Sequence, residues 1–129
     1  MRHVKTTALI LSLAFLAACA GVATRAWVQD NLYFGLSSPS GPLSAEEWQG
    51  FVDHTVTPLF PEGLTIIPAS GQWRGGNRAI LREDSRILQI VHPDTPQADA
   101  KINSICAVYK AWFKQQSVLR VKTKVDISL

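Results

Sequence analysis

An α+β fold, with a four-stranded antiparallel sheet and two helices on one of its faces, is predicted for this chain of 129 residues by three features. Four stretches alternate apolar and polar residues with the period of a strand, and two carry an apolar stripe at helical spacing. These six stretches follow one another in the order βαββαβ.

The first strand is expected over Asn31 to Ser37, where Leu32, Phe34 and Leu36 alternate with Tyr33, Gly35 and Ser37. The turn residues Ser38 to Pro42 make a loop. Ser44 and Glu47 then form a capping box, the pattern in which side chains at the first turn satisfy each other's orphan amides. In the helix that follows, Trp48, Phe51, Val52, Thr55, Val56 and Leu59 share one stripe. Pro58 and Pro61 end it, because proline has no amide hydrogen and clashes with the preceding turn.

Leu64 to Arg74 and Ile80 to His92 read as two strands joined at a hairpin tip near Gly76-Asn77, where positive backbone angles come easily. Asp94 or Thr95 caps the second helix, with Pro96 in its first turn. Ile102, Ile105, Cys106, Tyr109, Trp112 and Phe113 form its stripe. Trp48 and Trp112 are therefore both expected to be buried against the sheet. In the last strand, Ser117 to Ile127, Leu119, Val121, Thr123 and Val125 alternate with Arg120, Lys122 and Lys124. A basic outward face there suits an edge strand, since lysines discourage edge-to-edge pairing. Two right-handed crossovers put both helices on one sheet face. This is the ferredoxin-like layout, in which the first and third strands are central and the other face is open.

The amino-terminal end has the layout of an export leader. Arg2 and Lys5 precede an apolar run from Ala8 to Ala18, too short to cross a bilayer and suited to a signal core. It ends Leu16-Ala17-Ala18-Cys19, which resembles the lipobox of bacterial lipoproteins. The alternative is a small-residue cleavage site beside a bystander cysteine, and the order of the four residues favours the lipobox. Residues 1–18 are then a lipoprotein signal peptide, 19–30 a lipid-anchored tether, and 31–129 a single α+β domain. The resemblance implies acyl chains such as palmitate on Cys19, and two or more chains anchor stably. Ala20, rather than aspartate, follows the cysteine. In enteric-type bacteria that implies the outer membrane, facing the periplasm.

Arg2 and Lys5 leave with the leader, so 11 of the 13 basic side chains remain against 10 acidic ones. That near-neutral balance, together with export, argues against a nucleic-acid partner. With Cys19 acylated, Cys106 has no cysteine to pair with, and its place on a helix stripe reads as a buried, inert thiol.

Chemistry could reside around "GQWRGGNR", Gly71 to Arg78. A phosphate loop of the Walker type would end in lysine and serine or threonine and open a helix. Here a strand follows, so a hairpin is expected. Its flanks offer a candidate ligand-binding cluster: Gln72, Trp73, Arg74, Glu83 and Ser85, with Tyr33 on the first strand. Gln72 and Arg74 are expected to lie across from Glu83 and Ser85, an alignment that needs a bulge or a longer loop. Arg74 would anchor an anion with its planar fork of donors. The plainer reading is a set of cross-strand pairs on a solvated face. His54 and His92 lack ligands at metal spacing, so no metal or other cofactor is implied. Ser85, His92 and Glu83 do not make a nucleophile-elbow triad, because no glycine flanks the serine.

"LYFGLS", "EEWQGFVDHTVTPLFPEGLT", "GQWRG", "REDSRIL" and "YKAWFKQQSVLRV" together resemble a family of small bacterial envelope proteins described as a domain of unknown function, number 3574. The resemblance spans Leu32 to Val121 and implies no catalytic residue or ligand. A non-catalytic envelope lipoprotein is the favoured reading. It would bind a ligand or partner, including a second copy, through its open sheet face, a homodimer burying Tyr33 and Trp73. The alternative is a small envelope enzyme with Glu83 as acid or base and Arg74 as anion anchor.

Overall fold

The computed structural model of the protein describes residues 25–129. The signal peptide, Cys19 and the first part of the tether lie outside the described residues. Six strands and two helices follow: β1 Trp27–Gly35, β2 Ser37–Ser38, β3 Gly41–Pro42, α1 Ala45–Phe51, β4 Thr65–Arg74, β5 Ile80–Pro93, α2 Pro96–Phe113 and β6 Leu119–Val125. The main sheet is antiparallel in the order β4-β5-β1-β6, so the first and third long strands are central, as in the ferredoxin-like layout. The pair β2–β3 is a small hairpin within the stretch expected to be a plain loop.

β1 begins four residues earlier than its expected start, so the part of the tether from Trp27 to Asp30 is strand. Val28 and Asp30 continue the inward alternation of Leu32 and Phe34. An aspartate at an inward position is what concealed that continuation.

The capping box forms as expected: Glu47 donates its amide to Ser44 Oγ, and its carboxylate accepts from the Ser44 amide. After Phe51 the helix widens into a π turn, Val52–Val56, where the Thr57 amide reaches the Val52 carbonyl at 2.9 Å. The next residue, Pro58, has no N–H to continue the ladder. Thr95 caps α2 by accepting from the Ala98 amide, and Lys114 closes that helix in the left-handed conformation at φ 54°.

Cross-strand partners share a face, so the register settles which residues meet the helices. Leu32, Phe34, Leu88 and Ile90 form the core with Phe51, Val56, Ile102, Ile105 and Tyr109. Phe34 is its hub, with ring centroids 5.5 Å from Trp48, 5.7 Å from Phe51 and 4.6 Å from Tyr109.

Two expectations are corrected here. Trp48 is buried, but Trp112 is 56% exposed. The buried line of α2 runs Ala98, Ile102, Ile105, Tyr109, and Phe113 continues it one turn on, leaving Trp112 on the flank. The basic face of β6 is also reversed. Arg120 pairs with Leu32 and Lys122 with Asp30, so Arg120, Lys122 and Lys124 lie on the helix side. Leu119, Val121 and Val125, expected inside, lie on the open side opposite Tyr33, Asn31 and Trp27.

Candidate functional site

The charged residues of the four long strands sort onto one side of the sheet. Asp30, Arg74, Arg82, Asp84, Arg86, His92, Arg120, Lys122 and Lys124 all occupy helix-side positions, and Glu83 alone has a charged side chain on the open face. Elsewhere that face carries Tyr33, Ile67, Trp73, Val91, Leu119 and Val121, each exposed. At its middle is an amide cluster, in which Gln29 and Gln89 both donate to Asn31 Oδ1, at 3.5 and 3.3 Å.

At the end of this face where β1 finishes, Tyr33, Trp73 and Glu83 line a pocket of about 630 Å³ with Ser37, Gln115 and Leu119. The Glu83 carboxylate lies directly over Gly35: a Cβ there would sit 2.6 Å from Oε1. Glycine is what allows so close an approach. Oε1 accepts the Ser37 amide at 2.9 Å. On the other side of the sheet, Tyr109 donates its hydroxyl to the Gly35 carbonyl. Burial, and then the nearby Glu83 charge, push the Tyr109 phenol well above its usual range.

The predicted cluster is thus divided. Tyr33, Trp73, Glu83 and Ser85 share the open face, with Ser85 opposite Ala69 and Gly35. Gln72 pairs with Arg82 and Arg74 with Ile80 on the opposite face, so neither lies across from Glu83 or Ser85. The loop decides this. The Arg78 amide donates to Gly75 O and the Gly75 amide to Ala79 O, with Arg78 itself at φ 63°. The five-residue connection therefore centres on Asn77 and introduces no shift of register. The left-handed residue is Arg78 rather than a glycine. With Arg74 on the far side, Glu83 has no arginine beside it to hold an anion, and the paired roles imagined for an enzyme come apart.

A second constellation, unforeseen in the sequence, lies on the helix side. Asp30, fully buried, accepts two bonds from Arg120, Nε to Oδ1 at 2.7 Å and Nη2 to Oδ2 at 2.8 Å. His92 Nε2 lies 2.8 Å from the same Oδ2, and His92 Nδ1 lies 2.9 Å from the Pro93 carbonyl. Both ring nitrogens thus lie within hydrogen-bonding distance of an oxygen. Arg120 continues to Asp99 at 2.6 Å, and Lys122 joins Asp99 to Asp94. The bonds from Arg120 and then Lys122 hold the Asp99 carboxyl below its usual range. Asp30, and secondarily Asp99, raise Arg120, while Asp94 and then Asp99 raise Lys122.

This network ties β1, β5 and β6 to the start of α2. It has the full hydrogen bonding of a structural element, and among the described residues no buried side-chain polar atom lacks a partner. The readable signal was parity: Asp30, His92 and Arg120 are polar residues at inward positions of apolar strands. His54 is exposed on the π turn. Among the described residues, no group of three or more histidines, cysteines or acids could hold a metal ion. Burial raises the Cys106 thiol, which disfavours its reactive thiolate.

Among solved structures, the fold is similar to that of a phage SAM lyase in complex with S-methyl-5'-thioadenosine. The TM-score is 0.59 and the identity 14%, with 76% of this chain and 81% of that one covered. It is also similar to CutA from Synechococcus elongatus, with a TM-score of 0.54 and 14% identity over 79% of each chain. At these identities the likeness concerns the ferredoxin-like fold. No curated protein matches the chain in sequence. The family model "Protein of unknown function (DUF3574)" matches residues 29–129, from the third residue of β1 through both constellations to the last residue, and the chain belongs to that family.

Proposed function

We propose that the protein is a lipid-anchored protein of the bacterial cell envelope whose folded domain is a non-catalytic binding module, with a second copy of itself as the partner on the open sheet face. The observation that supports this reading is the sorting of charge. Nine charged or titratable strand residues sit on the helix side of the sheet, and the uncovered side is left almost uncharged, with Glu83 its one charged side chain. Four strands about 4.8 Å apart and some eight residues long present a face roughly 20 Å by 25 Å. With protruding side chains, that approaches the ~800 Å² per partner of a stable interface. A nearly uncharged face meets its own copy without repulsion. The central amides of Gln29, Asn31 and Gln89 both donate and accept, so they can pair across a two-fold axis, as an isologous contact requires.

Sedimentation velocity of the full chain in detergent tests the interface. The wild type is expected to be a dimer at micromolar concentration. Val121→Lys, which places like charges across the axis, is expected to give monomers with an unchanged unfolding midpoint. A monomeric wild type at tens of micromolar overturns the second copy as partner.

The anchor rests on Leu16-Ala17-Ala18-Cys19, with palmitate among the acyl chains and the periplasmic side of the outer membrane as the destination. Among the described residues no helix is long and apolar enough to cross a membrane. Intact-mass measurement should find the mature protein starting at Cys19 with acyl mass attached, and Cys19→Ser should retain the leader. A wild-type protein starting elsewhere without acyl mass removes the anchor.

A further inference from the structure

The β4–β5 hairpin extends beyond the rest of the sheet. β1 pairs with β5 only as far as Ser85, whereas β4 and β5 stay paired to Arg74 and Ile80. Leu36 and Ser37 still bond Asp84 and Glu83, so the last three pairs, Gln72–Arg82 to Arg74–Ile80, and their loop form a two-stranded ribbon projecting about 10 Å past the rest of the sheet. Two kinds of side chain collect on it. Trp73, Ile80 and Leu81 are 48%, 53% and 43% exposed. Arg74, Arg78 and Arg82 are interleaved with them and exposed, and none takes part in an ion pair among the described residues.

The charge of the molecule is polarised accordingly. Thr65 to Pro93 carries four arginines against Glu83 and Asp84, while the other described residues carry seven lysines and arginines against eight acids. Aromatic and aliphatic side chains among arginines at a protruding end suit the boundary between lipid headgroups and acyl chains. There the rings and aliphatic groups enter the interface and the guanidinium groups stay with phosphates. An ordinary solvated hairpin has no need of three large apolar residues at its tip.

We infer that the tip of the β4–β5 hairpin is a membrane-contact element, docking Trp73, Ile80 and Leu81 into an anionic phospholipid surface with Arg74, Arg78 and Arg82 on its phosphates. The contact stands on the hairpin's own residues, beyond the four-stranded region proposed to meet a second copy, and adds to the proposed acyl anchor a second, reversible attachment. Trp27, where β1 begins, and the hairpin tip lie at opposite ends of β5. β1 starts opposite Pro93, so the tip is about 44 Å from it along β5. Seven residues separate Cys19 from Trp27, and the eight steps between them reach at most about 28 Å. Both attachments are made together when β5 lies along the membrane plane and the domain rests on its side.

The test uses the full chain purified from bacterial membranes and added to vesicles with brominated acyl chains. One set is phosphatidylcholine alone and the other contains a quarter phosphatidylglycerol. Flotation with the neutral vesicles reads the anchor. Bromolipid quenching of tryptophan fluorescence that disappears in Trp73→Phe reads the tip. Quenching from Trp73 is expected on the anionic vesicles and should weaken on neutral ones and in high salt. Each arginine near an anionic surface shifts the docked equilibrium about fivefold, so Arg74, Arg78 and Arg82 all changed to Gln should shift it about a hundredfold. Thermal unfolding of the triple variant should match the wild type, since all three side chains are exposed. Flotation without Trp73-dependent quenching overturns the tip contact and leaves the anchor. Quenching without flotation on neutral vesicles does the reverse. Trp73 quenching that ignores both phosphatidylglycerol and the arginines also overturns it, as does binding of soluble heparin with no quenching, which would make the hairpin a site for an anionic polymer.

Discussion

Arg120→Met is expected to lower the free energy of unfolding by about 3–5 kcal/mol, the usual consequence of removing one partner from a buried ion pair. The cause is the carboxylate left behind. Asp30 is completely buried and takes both Arg120 bonds at 2.7 and 2.8 Å. Without the guanidinium it keeps only His92 in a helix-covered setting. Domains of this size have ~5–15 kcal/mol in total, so the loss is a large fraction. The reverse deletion is expected to cost less. In Asp30→Leu, Arg120 is partly exposed and still holds Asp99. Combining Asp30→Leu with Arg120→Met removes the stranded charge, and part of the stability should return. Urea unfolding of the two single variants and the double variant forms the cycle. A cost below 1 kcal/mol for Arg120→Met, or additivity in the double variant, would show that Asp30 is solvated and that the pair is not its support.

The same network marks the boundary of what the sequence discloses. Both helices were legible because their caps and stripes are local: Ser44, Glu47, Thr95 and Pro96 act within one turn, and each stripe repeats on its own element. Strand order was legible because βαββαβ admits few right-handed arrangements. The faces of the strands were not. Alternation says which residues share a face and leaves open which face meets the helices. Charge then misleads in β1 and β6, because Asp30 points inward to His92 and Arg120, while Arg120 and Lys122 reach Asp99 on α2 and Asp94 in the loop before it. Those partners are distant in sequence, and nothing local announces them.

The candidate site divides along the same line. Tyr33, Trp73 and Glu83 do converge on one pocket. Gln72 and Arg74 do not join them, since a five-residue connection keeps the register of a plain hairpin and so puts even-numbered residues on the helix side. Gly35 was the unread clue. A glycine inside a strand signals close approach by another group, and here that group is the Glu83 carboxylate.

Phe34→Ala is expected to cost about 3–5 kcal/mol, the range for deleting a large core aromatic. Phe34 is fully buried on the central strand, and Trp48, Phe51 and Tyr109 all meet its ring edge to face. The loss therefore combines apolar area returned to water, a cavity between the sheet and both helices, and three aromatic pairs, each contributing ~0.5–1.5 kcal/mol beyond area. Relaxation cannot close that cavity readily, because Phe51 and Tyr109 are themselves held together at 5.0 Å and Tyr109 is fixed by its bond to Gly35. Trp48→Ala should approach the same range, since Trp48 is buried beside Phe34. Trp112→Ala is the contrasting case. Its ring touches Phe51 and Phe113 along one side while more than half of it faces water. Its loss should stay near 1 kcal/mol, in keeping with a partly covered flank. Denaturant midpoints at constant slope order the three variants. If Trp112→Ala proved as damaging as Phe34→Ala, the flank of α2 would have to be covered, by a partner or by another part of the chain, and its exposed position on the helix would be wrong.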